Sequence, residues 1–245
     1  DGVRSTYNFV GLQNFVKVIQ AESFAQIVLN TFVLSILYVV GLNVLAIIIA
    51  VLVTTVGKRF GNFIKSLLFF PCLLSMVVVG FIWRLMYDYN SGVINQTLRS
   101  LGLEILALEW LGDKNLIMLS VSVSIIWFAL GYYLVIYYAG LMGIPQELYE
   151  ASDVEGASPV RKFIHITLPM LAPSTTINVV LSTVAILSSF DLPYVLTAGG
   201  GPGFFGTTIA MEIFRYTYAA MEQGKAFALS VLLAILAVII AVVEL

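Results

Sequence analysis

Ile47-Ile48-Ile49-Ala50-Val51-Leu52-Val53 is an unbroken apolar run. A membrane-spanning strand alternates apolar and polar residues over about ten positions, so a continuous run excludes a barrel strand and leaves a helix. The run belongs to a longer apolar stretch, residues 27–53. Crossing about 30 Å of hydrocarbon takes roughly 20 helical residues at about 1.5 Å each. Five stretches reach that length: residues 27–53, 64–86, 116–141, 168–190 and 226–243. The expected fold class is an all-α, multi-span membrane protein.

Composition agrees. The 245 residues are 60% hydrophobic and only 11% charged, less than half of the roughly 25% a soluble domain carries. A net charge of -2 lacks the basic excess of a nucleic-acid binder or a peripheral membrane-surface protein. The single cysteine, Cys72, has no internal disulfide partner, and the single histidine, His165, cannot build a metal site alone. No nucleophile, base and orienting group recur together, so an enzyme is disfavoured and no catalytic or metal-binding residue is expected.

The segment 57–65 holds Lys58, Arg59 and Lys65 without an acid, and the loop 142–167 adds Arg161 and Lys162. Arg4, Lys17, Arg99, Lys114, Arg215 and Lys225 are spread over much longer stretches on the other side. The short basic loops are therefore placed in the cytoplasm. Residues 1–26 then form an extracytoplasmic segment that comes after an absent first helix, since they show no signal peptide. The abrupt ending at Val243-Glu244-Leu245 reads as a second trimmed end, and 27–245 as the transmembrane domain.

Within 142–167, Pro145 suits a first helical turn, and Glu147 and Glu150 favour its positive dipole. Gly156 stops or bends that helix. Ala151, Ser152, Gly156 and Ala157 would let another protein's backbone approach closely. From the residues alone, a solvated interhelical loop and a docking element both remain open.

Glu150-Ala151-Ser152, then Gly156, then Ile166-Thr167-Leu168-Pro169 resembles the cytoplasmic "EAA" loop of permease subunits in ATP-binding-cassette (ABC) importers, at that family's spacing. Gly143-Ile144-Pro145 with Glu147-Leu148-Tyr149, and Phe163 to Pro173, look like its sugar-importing branch. Ser152 stands where a second Ala is usual, and Glu155 where Asp commonly precedes the Gly. The likeness continues in Phe9 to Phe15, Phe70-Pro71, Ile82-Trp83-Arg84, Gly92 to Asn95, Trp127 to Tyr132, Phe190-Asp191 and Val195 to Pro202. These are similar to maltose- and glycerol-phosphate-type permeases of type I architecture.

The resemblance implies one half of a sugar pathway in the cell membrane of a prokaryote. A second related permease forms the other half, a cytoplasmic ATPase dimer binds ATP and magnesium, and an extracytoplasmic protein delivers the sugar. No cofactor is expected in this chain. Glu150, Ala151, Ser152, Asp153, Gly156, Ala157, Leu168 and Pro169 are implied as the ATPase-coupling residues.

A sugar site in mid-membrane needs ring-stacking aromatics and small polar side chains around one cavity. Phe128, Ala129 and Tyr132 fall at helical spacing, and Ser182, Ala185, Ile186 and Ser189 form one stripe of the next span. Similar positions line the sugar pathway in the maltose-type family. Packing contacts between membrane helices would produce the same pattern. Asp191, at the outer end of its span, could hold a hydroxyl or a partner's base, or be solvated. Gly199 to Gly203 lacks the Lys-Ser/Thr ending of a phosphate loop and reads as a turn near the binding protein. Pro71 is expected to kink its span.

Another ABC importer substrate is the near variant of this reading. A secondary transporter or channel working alone is the rival class, and it would want charged residues inside the spans. Arg84, near an end, is the one that the sequence places there.

Overall fold

Leu34, Tyr38, Leu42, Ala46 and Ala50 recur at every fourth position and are all buried. Ile117, Val121, Ile125, Ala129, Tyr133, Tyr137 and Leu141 do the same. Residues four apart form the ridges by which helices interlock, and these two ridges are the spine of the molecule.

The computed structural model describes residues 9–244, which are predominantly helical with no strand among them. In order they form α1 (Gln13–Ile19), α2 (Phe24–Thr55), α3 (Lys58–Phe69), α4 (Met76–Met86), α5 (Val93–Ser100) and α6 (Ile117–Met142). Next come α7 (Gln146–Val154), α8 (Pro159–Lys162), a π turn at Phe163–Thr167, α9 (Leu168–Met170) and α10 (Ala172–Leu187). The rest comprises α11 (Asp191–Leu196), α12 (Ile209–Phe214), a π turn at Arg215–Ala219, and α13 (Gln223–Glu244). The expectation that the chain starts outside after a missing helix falls on Asp1, outside the described residues.

α2 and α6 are long, straight and apolar enough to cross a membrane, as is Gln223–Val242 of α13. On α2 the face opposite the buried ridge carries Ile36, Val40, Val44, Ile48 and Leu52, all exposed. Such a face is stable where hydrocarbon or another apolar helix replaces water.

The two remaining apolar stretches are each divided by a sharp bend. Residues 64–86 fall on α3 and α4, whose axes meet at 101°. The helix tightens into a 3₁₀ turn over Phe70–Leu73, which contains Pro71, and Leu74 and Ser75 are extended (ψ 158° and 134°). The break thus lies just beyond the proline expected to cause it. Lys65, read as a loop residue, is inside α3, with its ammonium 3.6 Å from the centre of the Tyr138 ring.

Residues 168–190 likewise divide, with a 66° bend between Pro159–Met170 and Ala172–Leu187. Pro169 and Pro173 flank the bend at Leu171. Pro173 has no N–H for the carbonyl four residues back, so the ladder cannot run through. The helix ends at Leu187, and Ser188 to Phe190 lead into α11.

At the end of the bundle away from α7, residues 87–115 cap α6. Tyr87 Oη donates to the Ser120 carbonyl (3.1 Å), Ser120 Oγ to the Trp110 carbonyl (2.8 Å), and Trp110 Nε1 to Asn95 Oδ1 (2.8 Å). A second, smaller core joins Val18, Ile27, Ile209, Tyr216, Ala226 and Leu229.

Candidate functional site

Two features stand out, at different heights on the bundle. The first is α7 and its return to α10. Pro145 takes the position just before α7, its φ of -58° already suited to a helical start, and Glu147 sits in the first turn. At the other end Gly156 adopts φ +73°, and Gly156 N donates to the Asp153 carbonyl and Ala157 N to the Ser152 carbonyl (both 3.0 Å). That closure is a helix C-terminus turned by a left-handed glycine. Nothing lies within 4 Å of a Cβ added at Gly156, so the conformation, rather than space within this chain, requires the glycine.

Glu150, Ala151, Asp153 and Gly156 are exposed, and Val154 is 91% exposed. This face is free to meet another protein. Ser152, expected there, points inward instead: it is buried, and its Oγ donates to the Tyr149 carbonyl (2.7 Å). Ala157 is half-buried beside it. Tyr149 Oη and Thr167 Oγ1 are 2.9 Å apart and hydrogen-bonded, and Lys162 is paired with Asp153. Leu168 and Pro169 come after the π turn and lead to the bend.

The second feature is a cavity of about 390 Å³ between α2, α6, the α3–α4 break and the end of α10. Phe128, Ala129, Tyr132, Ala185, Ile186 and Ser189 all line it. Ser182 and Asp191 do not. Ser182 is fully buried one turn further toward α7, where Asn43 Nδ2 donates to its Oγ (3.2 Å). Tyr137 Oη donates to Asn43 Oδ1 (2.7 Å), so this is a polar clasp between α2, α6 and α10. Asp191 opens α11 and is exposed.

The sequence reading missed the remaining walls. Tyr38 and Tyr133 come from the two interlocking ridges, and both line the cavity. Ridge periodicity marks both as core residues, and nothing in it separates a cavity lining from packing. Phe69, Cys72, Leu73 and Met76 come from the α3–α4 break. Gly131 brings that break in: a Cβ there would lie 2.3 Å from the Leu68 carbonyl oxygen and 2.4 Å from Phe69 Cα. The ring of Tyr132 stands edge-on to that of Tyr133, centroids 5.2 Å apart, and Tyr132 remains 48% exposed.

The chemistry on offer is recognition. Aromatic faces, Tyr hydroxyls and Ser189 surround a space of small-molecule size, a composition suited to an amphipathic ligand. The glycine-rich loop 199–203 lies at the end away from α7, beyond the cavity. It is tied to α2 by Asn30, whose Nδ2 donates to the carbonyls of Phe204 (2.7 Å) and Thr207 (2.9 Å). A further cavity of about 530 Å³, at the same end, lies between this loop and residues 107–116.

A helical membrane bundle with a cavity among its spans and a short helix between two of them suits a transport permease. The chain belongs to the family of binding-protein-dependent transport system inner membrane components, whose sequence profile matches residues 15–245. It is 33% identical over 249 residues to a diacetylchitobiose uptake system permease protein of Streptomyces coelicolor, covering 98% of this chain and 70% of that one. It is also 33% identical over 224 residues to a trehalose/maltose transport system permease protein of Thermococcus litoralis, covering 91% and 74%. Among solved structures it is similar to a chain of a bacterial ABC transporter involved in the import of the acidic polysaccharide alginate. The TM-score is 0.86 at 25% identity, over 98% of this chain and 83% of that one. The protein is accordingly a permease subunit of an ABC importer, with the all-helical fold of that class.

Proposed function

We propose that this chain forms half of the translocation pathway of a sugar importer in a prokaryotic cell membrane, and that α7 couples the pathway to ATP hydrolysis. The observation that carries the reading is the cavity. Tyr132 and Ser189, singled out for ring stacking and hydroxyl bonding, line one space with Tyr38 and Tyr133. The permease relatives, whose names specify diacetylchitobiose and trehalose/maltose, support a sugar cargo.

A second related permease would complete the pathway, and a cytoplasmic ATPase dimer holding ATP and magnesium would receive the exposed face of α7. A periplasmic protein would deliver the sugar at the opposite end, a role supported by the similar alginate transporter solved with its alginate pentasaccharide-bound periplasmic protein. The residues of this chain bind, orient and move; the covalent step belongs to the ATPase. The basic loops support the α7 end as the cytoplasmic one.

The test is uptake into vesicles by the complex assembled with its partner permease, ATPase and binding protein. Diacetylchitobiose, trehalose and maltose are the first probes. The expected result is ATP-dependent uptake of at least one sugar by the full complex and none by this chain alone. Sugar flux through the purified chain alone, above that of empty liposomes, would contradict it and favour a transporter working without partners.

A further inference from the structure

α7 is fastened to the rest of its own chain very unevenly. The Asp153–Lys162 ion pair is largely in solvent on the Asp side, 65% exposed, and such pairs contribute little. The Tyr149–Thr167 hydrogen bond differs: Thr167 is 5% exposed, and the Tyr149 ring packs half-buried against the main core. Breaking it leaves a hydroxyl buried without a partner, the costly outcome for a polar group.

The chain beyond Thr167 gives the bond a direction. Thr167 is the last residue of the π turn Phe163–Thr167, a wide, rarely stable helical geometry that recurs at functional sites. Its carbonyl accepts from Leu171 N (3.0 Å) at the 66° bend. The Leu171 carbonyl in turn accepts from Thr175 N (2.8 Å) and Thr175 Oγ1 (3.0 Å) on α10. A continuous hydrogen-bonded line thus runs from the coupling helix, through the π turn and across the bend, into the helix that ends at the cavity with Ala185, Ile186 and Ser189.

We propose that the Tyr149–Thr167 hydrogen bond is the strut that passes displacement of α7 to α10, making these two hydroxyls positioning residues for coupling. The inference rests on the coupling role proposed for α7. Tyr149 is half-buried against the core and is not among the residues lining the cavity; it fixes the distance between α7 and the π turn. With the strut intact, a push on Glu150 and Ala151 moves Thr167 and the bend. With it cut, the π turn can shift register and absorb the push.

The test uses the assembled complex and reads the cavity directly. Cys72 is the only cysteine of the chain and lines the cavity, so its rate of modification by a hydrophilic maleimide, with and without ATP trapping, reports whether motion arrives. Tyr149→Phe and Thr167→Val are each expected to shrink the ATP-dependent change in that rate by roughly five-fold, measured at equal complex yield, the loss one buried hydrogen bond implies. Thr167→Ser, which keeps the hydroxyl, should retain the change, and the double variant should be no worse than either single one. A wild-type response in Tyr149→Phe and Thr167→Val, or a response lost only in proportion to yield, would overturn the strut. Glu150→Lys is the control for the reading beneath it: full uptake in that variant would remove the coupling role of α7 itself.

Discussion

The straight spans α2 and α6 and the two bent spans, α3–α4 and α8–α10, are built from sequences that repeat differently. α2 and α6 each carry an apolar ridge at every fourth residue without interruption, Leu34 to Ala50 and Ile117 to Leu141. The bent spans carry Pro71, Pro169 and Pro173 inside apolar stretches, and the helix is broken near each. Both functional features depend on the broken pair. One break supplies Cys72, Leu73 and Met76 to the cavity wall, and the other stands between α7 and the cavity-lining end of α10. On the proposed function the straight pair would be a frame and the bent pair its working parts.

The sharpest way to break this division is at Gly131, where frame and break meet. Gly131→Val would drive Cβ into the Leu68–Phe69 backbone, which cannot retreat as a flexible side chain could. The expected outcome is loss of assembled complex and of all uptake, read as complex yield after purification. Normal yield would mean that the break does not need this approach.

Next in size are two changes on the exposed side of α7. Gly156→Val forces a β-branched residue to φ +73°, a conformation costing about 1–2 kcal/mol in L-residues, and Glu150→Lys reverses a charge in the middle of the exposed face of α7. Both should insert normally yet reduce uptake to background, with poor co-purification of the ATPase. Unchanged uptake in the two variants would sink the docking assignment.

Cavity changes should be milder. Tyr132→Ala removes a stacking face and Ser189→Ala a hydrogen bond, each worth about 1–2 kcal/mol. At subsaturating sugar, transport should fall roughly ten-fold, with less sugar moved per ATP and complex yield unaffected. Low yield with a normal ratio would make both residues packing elements.

The smallest effect belongs to the α2–α6 bond of the polar clasp. Asn43→Leu leaves the hydroxyl of Tyr137 without its 2.7 Å acceptor, and interhelical hydrogen bonds in membranes average about 0.6 kcal/mol. The thermal midpoint should drop by a few degrees while sugar moved per ATP stays constant. A changed ratio would place this clasp among the moving parts.

Legibility in the sequence divides along the same line. The continuous apolar runs and the glycine-terminated loop after Pro145 are local signals, and they lead to helices and to α7. Six of the eight proposed sugar contacts lie on the cavity because helical spacing places them on common faces. Ser182 shares the stripe of Ile186 and Ser189, but α2 approaches there and Asn43 takes its hydroxyl. That is a long-range contact without a local sign. The bends escaped because an apolar count is blind to direction: residues 64–86 are hydrophobic enough for one span whether straight or turned by 101°. Pro71 signalled a kink, while the close approach of Leu68 and Phe69 to α6 depends on Gly131, far downstream in sequence. Ser152 illustrates the same limit at small scale, since the choice between docking face and inner face of α7 is made by Tyr149 packing on the core.

The central claim is that a push on α7 reaches the cavity. Cys72 offers the most direct measurement: the rate at which a hydrophilic maleimide modifies this single cysteine in the wild-type complex, nucleotide-free and then trapped with ATP. The account predicts at least a several-fold change in rate between the two states, and loss of that change in Glu150→Lys. Equal rates in both nucleotide states, in a complex that hydrolyses ATP and takes up sugar, would contradict it.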